Sequence, residues 1–329
     1  MPIINFETLA NREAFSGTAC MQSIALSKTK TGNDYVTGNF RYGDKMFRYN
    51  VWDNGLVEAL RQPVTQGTIS FPILVNISGE ASSFNDTMTF TVRSCTFVED
   101  TPELNVAMFL PTLDCNALYR EFCDFVNNNL SAPYLNVLIA INRLPVSTFT
   151  GEKDNPSGKT IQDLLKTNWA ASGMHDAIGG GLLNHTLKML KIGKTLLEGR
   201  PEFDDTRDLI LLGIAIHDIG KVQEIHNGVY TRGSYTTHLV MGCEYLAIIK
   251  PLVVEQIGID NYNRLLSIVI GHHDKFGTPA STVYAFIVHL VDMLESQTTI
   301  FQEALANNTA QVGTSGEKYI KLDGRNLYF

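Results

Sequence analysis

Hydrophobic and polar positions change rhythm once along this chain. Up to about residue 100 they alternate in short runs between turn signals, namely Thr31-Gly-Asn-Asp34, Tyr42-Gly-Asp44, Asp53-Asn-Gly55, Ser78-Gly79 and Phe84-Asn-Asp86. A period of two marks half-buried strands, predicted here over 17–27, 35–42, 45–52, 68–78 and 87–98. From about 115 to 308 the apolar spacing is helical instead. Asp114 reads as the N-cap of a helix over 115–128, Pro133 opens one over 133–143, and Pro145 follows its end. Further helices are predicted over 161–171, 180–198, 205–219, 236–249, 251–257, 260–271 and 280–307. The polar stretch 146–160 reads as an exposed loop. The alternation of Tyr319, Ile320, Leu322, Leu327 and Tyr328 predicts an extended tail.

Five short strands in under a hundred residues suit a small barrel, and an OB-fold is the natural candidate. The chain is therefore expected to be multidomain, a small all-β barrel over 1–100 followed by an all-α bundle, with a linker and connecting helices over 101–160. Within the barrel segment Lys28, Lys30, Arg41, Lys45 and Arg48 are interleaved with Tyr35, Phe40, Tyr42, Phe47, Tyr49 and Trp52. Cations that track a backbone, beside rings on which bases stack, compose a single-strand nucleic-acid surface. Alternation sorts these rings. Phe47, Tyr49 and Val51 share one strand face, which suits a core, and Arg48, Asn50 and Trp52 share the other. Lys28, Lys30, Tyr35, Arg41, Lys45, Arg48 and Trp52 are the candidate binding residues.

Composition narrows the class. The chain has 329 residues, 44% of them hydrophobic, which is the makeup of a globular protein long enough for two cores. No apolar run has membrane-spanning length, and no membrane partner is expected. The amino terminus lacks the basic and apolar regions of a signal peptide. Five cysteines without CxxC spacing read as reduced thiols, so the expected location is cytoplasmic. A net charge of −8 argues against bulk coating of nucleic acid and leaves room for a local basic groove.

The candidate chemistry lies in the helical part. All eight histidines fall between 175 and 289. His217 and Asp218 follow the apolar run Leu209–Ile216, where an ionisable pair is costly to bury unless something binds it. His185, His238, His272, His273 and Asp292 also sit in or beside apolar helical segments. Imidazole nitrogens and carboxylate oxygens are the usual ligands of catalytic Zn, Mn or Fe. Each residue alone has an ordinary reading: a core histidine, a dipole partner at a helix end, or, for Lys221, a lysine at a helix terminus. His289 shares a helix face with Asp292 and reads as its supporting partner, while His226 and His175 are weaker candidates.

The order H…HD…H…HH…D, with Ile216-His-Asp-Ile-Gly-Lys221 at its centre, resembles the HD phosphohydrolase superfamily over about 175–300. Three further segments are similar to the YhaM-type 3′→5′ exoribonuclease family, which joins an amino-terminal OB-fold to a carboxy-terminal HD domain. They are Met174-His-Asp-Ala-Ile-Gly-Gly-Gly-Leu-Leu-Asn-His185, Gly228-Val-Tyr-Thr-Arg-Gly-Ser-Tyr-Thr-Thr-His238 and Gly271-His-His-Asp-Lys-Phe-Gly-Thr-Pro279. The ending Leu322-Asp-Gly-Arg-Asn-Leu-Tyr328 is similar as well. The chain departs from that pattern at Asp176, where the family has a histidine, and at Asp274, where it has a glycine. Trp169-Ala-Ala171 also lacks the family's proline. Such departures fit a divergent or phage-encoded member.

The resemblance implies an HD domain over 161–310 and a carboxy-terminal tail over 311–329. It implies two divalent metal ions, Mn first, with Fe, Zn, Mg or Ni as alternatives. His185, His217, Asp218 and Asp292 would hold one, and His238, His272 and His273 the other, with Asp218 bridging. Catalytic roles fall to Asp218 and Lys221, and an activated hydroxide would cleave the phosphodiester. The implied activity is 3′→5′ exonuclease action on single-stranded RNA, with DNA as a second polymer, by a homo-oligomer whose barrel feeds the strand. Two other readings stay open: an HD phosphodiesterase of small or cyclic nucleotides, and a non-catalytic nucleic-acid-binding protein.

Overall fold

In the computed structural model the chain forms two compact units, Met1–Pro111 and Thr112–Phe329. The structure describes all residues except 44, 67, 70, 85–86, 102, 147–158, 172–175, 231–235, 275–276, 307–310, 313–316, 323–324 and 329. His175 and most of the 146–160 loop therefore lie outside the described residues.

The first unit is a closed five-stranded barrel of β1 (Ala14–Lys28), β2 (Asp34–Tyr42), β3 (Lys45–Val51), β4 (Ile73–Phe84) and β5 (Thr87–Val98). The strands follow the order β1-β2-β3-β5-β4 around the barrel, and β3 pairs with β5 in parallel. Five strands closed in that order, with a helix between β3 and β4, make an OB-fold. Strand β1 serves two neighbours. Its first half pairs with β4 and its second with β2, with an irregularity between Met21 and Ser23. Alternation puts Val36, Phe40, Tyr49 and Val51 in the core. Phe6, from the segment before β1, stacks on Phe40 at 5.1 Å and meets Phe90 edge-on at 4.9 Å. Gly38 faces the backbone of Ser23 so closely that a Cβ would come within 2.1 Å of its carbonyl oxygen. The buried Tyr49 hydroxyl donates to that same oxygen at 3.1 Å.

Three strand expectations need correction. Helix α1 (Asn54–Thr65) stands where an all-β segment was expected. Asp53 is its N-cap, accepting from the Leu56 amide, so the Asp-Asn-Gly signal starts a helix instead of a turn. Val57 and Leu60 pack it onto the barrel. The fourth strand accordingly begins at Ile73, not 68. Ser78-Gly79 is not a strand end: the β4–β5 register shifts there, with Arg93 of β5 as the extra residue.

The second unit is mainly helical. It comprises α2 (Cys115–Asn129), α3 (Ala132–Asn142), α4 (Ile161–Thr167), α5 (Gly181–Leu197), α6 (Arg207–Ile216), α7 (Lys221–Glu224), α8 (His238–Ile248), α9 (Lys250–Ile257), α10 (Ile259–Gly271) and α11 (Val283–Ala306). Asp114 caps α2 through the Ala117 amide, and Thr160 and Asp163 form a capping box on α4. Every residue of α6 from Leu209 to Ile216 is buried, because α3, α5, α10 and α11 pack around it. The helical expectation missed α7, which is one turn long, and the short hairpin of β6 (Ile225–His226) and β7 (Val229–Tyr230) after it. The extended tail is a hairpin of β9 (Lys318–Leu322) and β10 (Arg325–Tyr328), joined by β8 (Gln311–Val312).

Candidate metal centre

Helix ends place the ionisable residues. Gly213 lets α6 approach α10 so closely that a Cβ there would meet Ile268 Cδ1 at 2.6 Å. One helical turn beyond that contact the two helices end, α6 at His217 and α10 at His272. The rings of these residues meet at 4.8 Å, nearly perpendicular. Gly220 performs a second close approach: a Cβ there would lie 2.0 Å from the His238 carbonyl oxygen. The start of α8 thereby reaches Asp218. Helix α5 contributes His185 and α11 contributes Asp292.

Seven residues named from the sequence converge. His185, His217 and Asp292 offer ligand atoms within 4.8 Å of one another, and so do Asp218, His238, His272 and His273. Asp218 joins the two sets. Its Oδ2 lies 3.3 Å from His217 Nε2 and 3.8 Å from His185 Nε2. Its Oδ1 lies 3.4 Å from His238 Nε2 and 3.5 Å from His272 Nε2. His185 Nε2 also faces Asp292 Oδ1 at 3.3 Å, and the Nε2 atoms of His238 and His273 are 3.1 Å apart.

The far nitrogens are already engaged. His217 Nδ1 donates to Ile214 O at 2.8 Å and His272 Nδ1 to Val269 O at 2.9 Å. His185 Nδ1 lies 2.5 Å from Glu295 Oε2, and His238 Nδ1 lies 2.8 Å from Glu224 Oε2. A carbonyl or carboxylate oxygen only accepts, so each Nδ1 carries a proton, and in the neutral ring each Nε2 presents a lone pair. Nε2 of His217 and His272 and Oδ1 of Asp218 are buried yet make no hydrogen bond. Lys221 Nζ offers Asp218 Oδ2 an ion pair at 2.7 Å. Buried lone pairs from imidazoles and carboxylates, converging on two spots, fit divalent cations.

The electrostatics agree. Burial pushes His272 down to about 4, so it stays neutral, as a ligand must be. Burial likewise lowers His273. Burial opposes charge on His185, but hydrogen bonds to Asp292 and Glu295 outweigh it and push this group up to about 10 in the metal-free protein. Burial opposes charge on Asp218 too, yet Lys221 and His217 hold its carboxyl well below the usual range. Asp218 therefore stays an anion and His272 a neutral imidazole, the states in which each can hold a cation.

Some expectations shift. His289 supports the His272 helix end and not Asp292, since its Nδ1 donates to His272 O at 2.7 Å. His226 is exposed on β6. Lys221 opens α7 and pairs with Asp218. Sequence reasoning missed Glu224 and Glu295. The signal for Glu295 was its place three residues after Asp292 on one helix; Glu224 carried none, because its partner His238 is 14 residues away. A third grouping, Asp176, His185 and Glu295, is already served by a cation: Lys188 Nζ lies 3.0 Å from Asp176 and 3.1 Å from Glu295.

In the barrel, Tyr35 and Trp52 lie outward on β2 and just past β3 and stack on each other at 4.6 Å, with Trp52 49% exposed. Arg48 is exposed on the same outer face, opposite Asn39. Lys30 is exposed in the β1–β2 turn. The other cations have partners: Lys28 faces Asp34 at 3.6 Å, Lys45 faces Glu7 at 3.0 Å, and Arg41 donates to Gly43 O at 3.2 Å.

The HD domain family matches residues 182–297. The 3′-5′ exoribonuclease YhaM of Shouchella clausii is 28% identical over 240 residues, covering 69% of this chain and 72% of that protein. The YhaM proteins of Oceanobacillus iheyensis and Bacillus subtilis are 33% and 27% identical, and the matches span about half of each, 54% and 51%. Among solved structures, a mitochondrial single-stranded DNA binding protein from S. cerevisiae aligns at 10% identity, TM-score 0.24, over 28% of this chain and 99% of that one. A replication protein A heterotrimer bound to single-stranded DNA aligns at 15% identity, TM-score 0.21, over 28% and 62%. The identity of the barrel rests on its own strand order. An OB-fold barrel, then a helical unit whose histidines and aspartates converge within an HD domain, and similarity to a YhaM protein over 69% of the chain: the chain is a phosphoester hydrolase of the HD type that resembles the YhaM exoribonucleases.

Proposed function

We propose that this protein is a metal-dependent 3′→5′ exonuclease acting on single-stranded RNA. The observation that carries the reading is the division of Asp218 between two sets of imidazoles, one set at each carboxylate oxygen. His185, His217, Asp218 and Asp292 hold one divalent ion in this reading, and Asp218, His238, His272 and His273 hold the other. Two such ions supply positive charge to the phosphoryl oxygens and acidify water. Mixed nitrogen and oxygen donors suit Mn²⁺.

The remaining work falls to the chain. Asp218, with one oxygen toward each set of imidazoles, would contribute to both positions. The Nδ1 hydrogen bonds hold four imidazoles in one tautomer. Lys221, 16% exposed, keeps its ammonium charge beside Asp218, where it can meet a phosphate oxygen. On the barrel, the exposed Trp52, stacked on the half-buried Tyr35, offers a base-stacking face, with Arg48 and Lys30 for phosphates. A polymer substrate is favoured over a free nucleotide by this face and by the similarity to YhaM. All five cysteines are free thiols, the state that a reducing cytoplasm maintains.

The test is a time course on 5′-labelled single-stranded RNA, with matching DNA and a cyclic dinucleotide alongside, with Mn²⁺, with EDTA, and with Asp218→Ala protein. A Mn²⁺-dependent ladder shortening from the 3′ end, absent in the variant, supports the reading. Intact polymer with hydrolysed cyclic dinucleotide would replace it by a small-nucleotide phosphodiesterase. Binding without turnover would leave a nucleic-acid-binding protein.

A further inference from the structure

Each of the two proposed metal positions contains one histidine backed by a backbone carbonyl and one backed by a buried carboxylate. At the first, His217 leans on Ile214 O and His185 on Glu295. At the second, His272 leans on Val269 O and His238 on Glu224. The carbonyl partners lie three residues back in the same helix and come with the helix end. The carboxylates reach across elements, from α11 to α5 and from α7 to α8. Burying a carboxylate is costly, so its presence calls for a role. A carboxylate behind an imidazole draws on the Nδ1 proton, fixes the ring and raises the donor strength of Nε2, more than a neutral carbonyl does.

Resting on the two-metal reading above, we propose that Glu295 and Glu224 are positioning residues, each setting the aim and donor strength of one histidine at one of the two metal positions. Each carboxylate is locked. Glu295 Oε1 accepts from Thr299 Oγ1 at 2.6 Å and pairs with Lys188 at 3.1 Å. Lys188 is in turn held by Asp176, which Asn184 anchors at 2.7 Å. Glu224 Oε1 accepts from the His238 amide at 3.1 Å while Oε2 faces Nδ1 of the same residue. Thr237 makes no side-chain cap on α8, so Glu224 supplies the cap from α7. Glu295 is not itself a ligand in this arrangement, because both its oxygens are committed.

The experiment titrates Mn²⁺ into demetallated full-length protein by calorimetry, for wild type, Glu295→Gln and Glu224→Gln. Glutamine keeps the volume and an acceptor oxygen and removes the charge. Wild type should take up two equivalents. Each variant should keep one equivalent at wild-type affinity and bind the other about 10–100-fold more weakly. In RNA hydrolysis the Mn²⁺ concentration for half-activity should rise while KM for RNA holds. If Glu295→Gln does not fold, Thr299→Val removes one bond to Glu295 and should weaken the same equivalent by about 2–10-fold. Two equivalents at wild-type affinity in both variants would overturn the proposal and leave the metal reading standing. So would equal weakening of both equivalents with equal loss of thermal stability in EDTA, which marks a general packing role. A wild-type protein that takes up no Mn²⁺ would overturn the metal reading itself.

Discussion

Asp218 is 3% exposed and ringed by imidazoles, a position that burial alone would penalise heavily. Lys221 offsets part of that cost, and cations at its two oxygens would offset the rest. Substitution of supporting residues around a metal typically costs about 10–100-fold, so Asp218→Asn, which alters the shared ligand, is expected to cost more than about 100-fold in hydrolysis. It should also lose both Mn²⁺ equivalents, as measured by metal analysis after dialysis. Two of the three departures from the family pattern are residues with left-handed backbones: Asp176 has φ 52° and Asp274 φ 46°. Aspartate is among the side chains that tolerate that region, so Asp274 can stand where the family has a glycine. It also uses its side chain, accepting from the Ala280 amide at 3.2 Å. Asp176 accepts from Asn184 and Lys188, and this is the physical content of that substitution.

At the scale of elements, the close approach of α7 to α8 depends on Gly220. Gly220→Ala would force a Cβ against the His238 carbonyl. Overpacking of this kind costs about 1–3 kcal/mol, so a lower melting temperature is expected, together with weaker binding of the Mn²⁺ equivalent that involves His238. Circular dichroism melts and calorimetry check the two effects. On the barrel, Trp52→Ala should weaken single-stranded RNA binding by about 1–3 kcal/mol, the value of one base stack, and leave metal content untouched. Fluorescence anisotropy with a short labelled RNA measures it; unchanged affinity would remove Trp52 from the binding face. The elements were largely legible from periodicity. The exceptions have physical causes: α1 hides behind an Asp-Asn-Gly signal that serves caps and turns equally, and α7 is too short to show a period.

Two properties belong to the whole molecule. Metal removal should destabilise it, because an ion bound only by the folded state adds about 2.7 kcal/mol at a hundredfold excess over Kd. EDTA is therefore expected to lower the melting temperature of the helical unit, and excess Mn²⁺ to restore it; an unchanged melt would argue against the centre. The second property is charge. With −8 overall and with Lys28, Lys45 and Arg41 already partnered, the barrel offers few free cations to phosphates. Each phosphate contact on a single strand contributes a slope of about −0.7 in log K against log salt, so the measured slope should be shallow, about −2 or less in magnitude. Affinity independent of salt would exclude the electrostatic groove. No helix among the described residues is long and apolar enough to cross a membrane.

The sequence by itself determined the order of barrel and helices, because periods of two and 3.6 are local properties. It also singled out His185, His217, Asp218, His238, His272, His273 and Asp292 as candidates, because ionisable residues are conspicuous in apolar helices, and these seven lie together in the fold. Tertiary structure decided which atoms meet. The split of Asp218 between two sets of imidazoles, the move of His289 to the His272 carbonyl, and the carboxylates of Glu295 and Glu224 behind two histidines all depend on contacts across helices. His185 and Glu295 are 110 residues apart and meet only because α5 and α11 pack side by side. Such contacts are set by close packing at positions such as Gly213 and Gly220, and no periodicity along one segment encodes the distance to another.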